Sequence, residues 1–150
     1  MEDFIGVTAY YQMARISPVS TITTAHLILY VADQKRSARF YAAALARTPR
    51  LDVPGMTEFD LGGGAVLGLM PAAGIKRLLG DALPDPAAAS GVPRAELYLL
   101  VDDPAAAHRR ALDAGARELS PLGPRGWGHD AAYSLDPDGH VLAFARPTAA

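Results

Sequence analysis

Ala25-His26-Leu27-Ile28-Leu29-Tyr30-Val31 and Ala95-Glu96-Leu97-Tyr98-Leu99-Leu100-Val101 read as one strand written twice, 70 positions apart. Each is followed by a helix start. Asp33 is placed to cap the first helix, and Asp103 with Pro104 at the first helical position caps the second. Ala38, Tyr41, Ala42 and Leu45 follow at helical spacing in the first copy, and Gly115 is placed to end the helix of the second. The copies also close alike. Gly64-Ala65-Val66-Leu67-Gly68-Leu69 matches Gly139-His140-Val141-Leu142-Ala143-Phe144, and the tight-turn signal Asp136-Pro137-Asp138-Gly139 precedes the latter. Further short strands are expected near 57–61 and 130–135.

A repeat of this kind sets the fold class as α+β. Two βαβββ modules, over residues 23–70 and 94–146, are related by a pseudo-twofold axis. They are expected to form a curved mixed sheet with a central cleft and helices outside. Each module of about 45–55 residues would bury too little apolar surface to be stable alone. Residues 71–93 read as a crossing linker through Pro84, Pro86 and Pro93, with one helical turn at Ile75–Leu79. Residues 1–22 read as an arm outside the repeat, packed on the body or disordered. Met1–Ile22 lacks the charged-then-apolar order of a secretory leader, and Met13 offers an alternative start.

The bulk numbers narrow the function. A chain of 150 residues, half of them apolar, makes one compact domain. A net charge of −2 gives no reason to expect nucleic acid or an anionic membrane as partner. No apolar run approaches the ~18–20 residues that span a bilayer. Cysteine is absent, which removes disulfides, thiolate metal sites and a Cys nucleophile, and fits a cytoplasmic protein.

Strand parity divides the residues between two faces. His26, Ile28, Tyr30, Glu96, Tyr98, Leu100, Val66, Gly68, Met70, Val141, Ala143 and Ala145 share one face. Leu67, Leu69, Leu142 and Phe144 lie on the other, greasier face, which should carry the helices. The first face mixes two aromatics, small residues, one His and one Glu, as a small-molecule site does.

The segments His26–Val31, Glu96–Asp103 and Trp127-Gly128 followed by Tyr133-Ser134-Leu135-Asp136-Pro137-Asp138-Gly139-His140 resemble the vicinal oxygen chelate superfamily. That superfamily includes glyoxalase I, bleomycin-resistance proteins and extradiol dioxygenases. The resemblance spans about 120 of the 150 residues. It implies paired βαβββ modules, commonly a homodimer, and in the enzymes a divalent metal that stabilises an enolate or similar anion. The resemblance puts the four ligand positions at His26, Gly68, Glu96 and Ala143. Gly68 and Ala143 carry no donor, and two protein ligands fall short of the usual three or more. No metal or other cofactor is therefore expected; the alternative is a weakly held divalent ion on His26 and Glu96. Gly68 and Ala143 would also free volume where that ion would sit.

The remaining site residues have a bland and a sharp reading. His26 and Glu96 either form a coupled pair across the pseudo-twofold, as ligand anchor or acid and base, or sit apart, Glu96 in water at a strand end. Tyr30 and Tyr98 are ordinary strand residues or stack on a planar ligand. Trp127 is a plug over the core or a wall of the pocket. His129 and Arg125 flank it and either meet an anion or are solvated. His140 and the Asp136–Gly139 turn read as structural, His108 as a surface residue, Arg109 and Arg110 as a solvated helix face. The ligand-binding set is His26, Tyr30, Gly68, Met70, Glu96, Tyr98, Trp127, His129 and Ala143.

The expected function is a metal-independent small-molecule-binding protein that sequesters a hydrophobic or aromatic ligand in the cleft. The alternative is a metal-dependent glyoxalase-like lyase or isomerase, or a dioxygenase, with His26 and Glu96 catalytic. A purely structural role has only the expectation of dimerisation behind it.

Overall fold

The computed structural model describes residues 21–149. The arm expected at 1–22 lies, apart from Thr21 and Ile22, outside the described residues. The first half runs β1 (Ala25–Val31), α1 (Gln34–Leu45), β2 (Leu51–Val53), β3 (Met56–Gly62) and β4 (Ala65–Pro71). The second runs β5 (Glu96–Leu100), α3 (Pro104–Asp113), β6 (Arg117–Pro124), β7 (His129–Leu135) and β8 (Val141–Pro147). The sheet orders are β1-β4-β3-β2 and β5-β8-β7-β6, the same topology twice. In each, the first and last strands pair in parallel and the rest antiparallel.

Both helices start as expected. The Asp33 carboxylate accepts from the Arg36 N–H at 3.0 Å, and that bond lowers its pKa. Asp103 accepts from the Ala106 N–H at 3.1 Å, with Pro104 in the first turn. The greasy parity then buries. Leu67, Leu69, Leu142 and Phe144 join Phe40, Tyr41, Ala107 and Ala111 in one core that spans both halves. Truncating a fully buried core residue such as Leu67 or Phe144 to Ala would cost about 3–5 kcal/mol.

The mixed sheet expected of the paired modules is present, one four-stranded sheet from each half, and the free edge of β1 meets the second half. Its Tyr30 carbonyl accepts from His140 Nε2 at 2.9 Å, and its Ala32 N–H donates to Asp138 Oδ1 at 2.8 Å. The turn from Asp136 to His140 thus clamps the halves together. Asp138 Oδ2 accepts from the Ser37 hydroxyl at 2.8 Å, and Asp138 Oδ1 from Arg36 Nη2 at 3.2 Å. The buried Tyr41 hydroxyl donates to Asp136 Oδ2 at 2.6 Å. Burial first, and then the two carboxylates, hold the Tyr41 pKa well above 10. The structural reading of His140 and this turn agrees with these bonds.

Three local expectations change. The linker carries more structure than one turn: α2 (Ala72–Leu79) and short 3₁₀ turns at Gly80–Ala82 and Pro86–Ala89. β6 was hidden by Pro121, Gly123 and Pro124, and its pairing to β7 is broken by register shifts. His108 is 6% exposed, not a surface residue, with Nε2 2.8 Å from Glu118 Oε2. Pro104, Ala107, His108 and Ala111 form the buried stripe of α3, a spacing that marks the core face. No helix among the described residues is long and apolar enough to cross a membrane.

Candidate functional site

The register places the site residues row by row. Ile28, Gly68 and Glu58 lie side by side across β1, β4 and β3. Tyr98, Ala143 and Tyr133 lie side by side across β5, β8 and β7. Both rows are on the face opposite the helices, so parity correctly grouped His26, Tyr30, Gly68 and Met70, and Glu96, Tyr98 and Ala143.

On the first face, His26 is not paired with Glu96. Its Nδ1 lies 3.3 Å from Glu58 Oε2, which comes from β3 across the intervening β4. Glu58 Oε1 in turn accepts from Arg50 Nε and Nη2, both at 3.1 Å. The carboxylate is largely shielded, bound by the Arg50 guanidinium on one oxygen and with the His26 ring beside the other. Such a carboxylate is satisfied rather than orphaned. Gly68 does not leave open volume. A Cβ there would stand 3.0 Å from Ile28 Cγ1 and 3.2 Å from Met56 Sδ, so these two side chains already close over the backbone.

The second face is built around one phenol. Trp127 Nε1 donates to the Tyr98 hydroxyl at 3.1 Å, and that hydroxyl lies 2.7 Å from His129 Nδ1. An indole N–H can only donate, so the Tyr98 oxygen accepts from it. The same hydroxyl thus bridges the indole and the imidazole, joining Trp127, Tyr98 and His129 in one hydrogen-bonded chain. The His129 ring stacks on Tyr98, with centroids 5.7 Å apart. Trp127 makes this bond yet is 60% exposed, so it does not plug the core.

Tyr133 lies beside this group. Burial, then the charges of Glu96 and of Tyr98, raise its pKa above 10, against an opposing pull from Arg125. It therefore stays a neutral O–H donor in the physiological range. Arg125 is not a solvated charge: it binds the Ser120 hydroxyl and the Pro121 and Ala131 carbonyls and lies 5.1 Å from the Tyr133 ring centroid. Arg125 holds the loop that carries Trp127 and His129. Arg109 and Arg110 are exposed, as expected.

These donors do not fit the metal that the resemblance implies. Two of the four positions, Gly68 and Ala143, carry no donor, and the His26 Nδ1 faces Glu58. Among the described residues no three His, Asp or Glu side chains are grouped to hold an ion.

The family model for the glyoxalase/bleomycin resistance protein/dioxygenase superfamily matches residues 23–144. The chain belongs to that superfamily. Solved structures agree on the fold. A glyoxalase-related enzyme from Fulvimarina pelagi is 25% identical with a TM-score of 0.69, covering 82% of this chain and 86% of its own. A glyoxalase/bleomycin resistance protein/dioxygenase from Nocardioides is 22% identical with a TM-score of 0.68, covering 94% and 93%. TnmS3, an antibiotic-binding protein from Streptomyces sp. CB03234, is 23% identical with a TM-score of 0.63, covering 88% and 99%. Comparison with curated proteins finds no significant match.

Four residues of the site escaped sequence reasoning: Glu58, Arg50, Met56 and Tyr133. Parity on the strand expected near 57–61 was the available signal for Glu58, since it alternates with the buried Thr57 and Phe59.

Proposed function

We propose that this superfamily member is a binding protein. It would hold a hydrophobic or aromatic small molecule on the His26 and Tyr98 faces without a metal ion. The observation that carries the reading is the donor set. Gly68 is roofed by Ile28 and Met56, Ala143 is blank, and the one carboxylate near His26 is neutralised by Arg50. What remains is apolar and aromatic surface with a few polar groups: Tyr98 and His129, bonded to each other, and Tyr133 and Glu96.

The ligand class follows from that surface. Trp127 and the Tyr98–His129 stack offer flat faces to a planar molecule. Tyr133 O–H is a donor for a carbonyl or phenol oxygen, and Glu96 is an acceptor.

We further propose that a second copy completes the cleft. Ile28 and Tyr30 on the first face, and Leu100 and Trp127 by the second, are each more than a third exposed in a single chain. Neighbouring apolar side chains of this size are usually covered in the working assembly. A cytoplasmic location is proposed on the absence of cysteine alone. Saturable quenching of the single tryptophan by a panel of planar ligands tests the binding reading; a panel without a saturable member, with Trp127 insensitive to all, argues against it.

A further inference from the structure

A cavity borders the first face at the β1 edge and shares Ile28 and Tyr30 with it. It has a volume of about 640 Å³, between the free edge of β1, the linker and the turn at Asp138–His140. That is within the ~300–1,000 Å³ range of small-molecule pockets. Leu27 explains why it exists. Its parity points it toward the helix side, yet it is 38% exposed, because it faces this cavity rather than the core. Leu29, Leu83 and Val92 add apolar wall.

The linker roof is fixed in place. Lys76 Nζ donates to the Gly80 and Leu83 carbonyls at 2.9 and 2.6 Å. Farther along, Gly91 packs so tightly on Gly139 that a Cβ at 139 would stand 3.0 Å from the Gly91 Cα. The lining also includes charged or titratable groups, and most are committed. Both Asp138 oxygens are bound, His140 Nε2 binds the Tyr30 carbonyl, and Asp85 caps the Ala87 N–H. Arg94 is the exception: it makes no ion pair with any described residue.

We propose that this cavity binds an amphipathic carboxylate, its apolar chain along Leu27, Leu29 and Val92 and its head group at Arg94. An apolar wall with a guanidinium free of ion pairs favours a carboxylate head group over a neutral one. The site shares Ile28 and Tyr30 with the first face and none of Tyr98, Trp127, His129 and Tyr133 of the second.

Calorimetric titration of the full chain with decanoate and with decan-1-ol tests it. Decanoate should bind once per chain. Arg94→Gln should weaken decanoate roughly tenfold, the scale of one charge-assisted bond, and leave decan-1-ol within about twofold. Ala88→Trp, which fills the cavity from the linker, should abolish both, while Trp127→Ala should change neither. Failure of decanoate to bind the parent chain would overturn the proposal. So would binding that Trp127→Ala weakens and Ala88→Trp leaves intact, since that places the amphiphile on the sheet faces.

Discussion

Glu58 reaches across β4 to hold His26, with Oε2 3.3 Å from Nδ1, while its other oxygen is tied to Arg50. The carboxylate lies in register with Gly68, one of the positions at which the superfamily's metalloenzymes are expected to keep a ligand. Here the negative charge comes from the next strand and is already matched by a guanidinium. Glu58→Ala should therefore cost stability, since it strands two partners at once. A loss of about 0.5–1 kcal/mol is expected from urea unfolding. A change below a few tenths would mean the trio is solvated and ornamental.

Gly68 tests how closed the first face is. Gly68→Ala would press a methyl on Ile28 and Met56 and should destabilise by about 1–3 kcal/mol. Ile28→Ala removes the nearest contact, so the double variant should recover part of that loss. Strict additivity in the unfolding midpoints would show that the space at Gly68 is open after all.

Tyr98→Phe should act on two neighbours together. Trp127 loses its acceptor, so its emission should shift to longer wavelength. His129 loses the hydroxyl 2.7 Å from its Nδ1, so its ring nitrogen NMR signals should move. Unchanged nitrogen signals would show that the Tyr98 hydroxyl does not bond to His129.

Tyr41 gives a pH signature. Its folded pKa is held well above its unfolded value near 10, so the native state keeps a proton that the unfolded chain releases. The stability it contributes is complete below about pH 10 and is lost as pH rises toward the folded value. Tyr41→Phe should cost about 1–3 kcal/mol at neutral pH, with Asp136 left one donor short, and should flatten the fall of stability above pH 10. Equal alkaline slopes in the two proteins would remove Tyr41 as the cause.

Much of the fold was legible because His26–Val31 and Glu96–Leu100 repeat one pattern and strand parity is rigid. The same parity placed Leu67, Leu69, Leu142 and Phe144 under the helices. The illegible parts share a cause: they depend on partners distant in sequence. His26 finds Glu58, not Glu96, because β3 rather than β5 lies near it across β4. Gly68 is roofed rather than open because Ile28 and Met56 converge there. β6 carries Pro121, Gly123 and Pro124 and is a strand only because β7 pairs with it. The linker's cavity depends on Gly91 meeting Gly139, a contact that no local pattern announces.

The central claim is that a ligand is held here without a metal. Elemental analysis of protein purified without chelator, joined to Trp127 quenching by a planar ligand before and after EDTA, tests it most directly. The account predicts well under one equivalent of any divalent ion and the same saturable quenching in both conditions. One equivalent of a divalent ion, lost in His26→Ala together with the quenching, would contradict it.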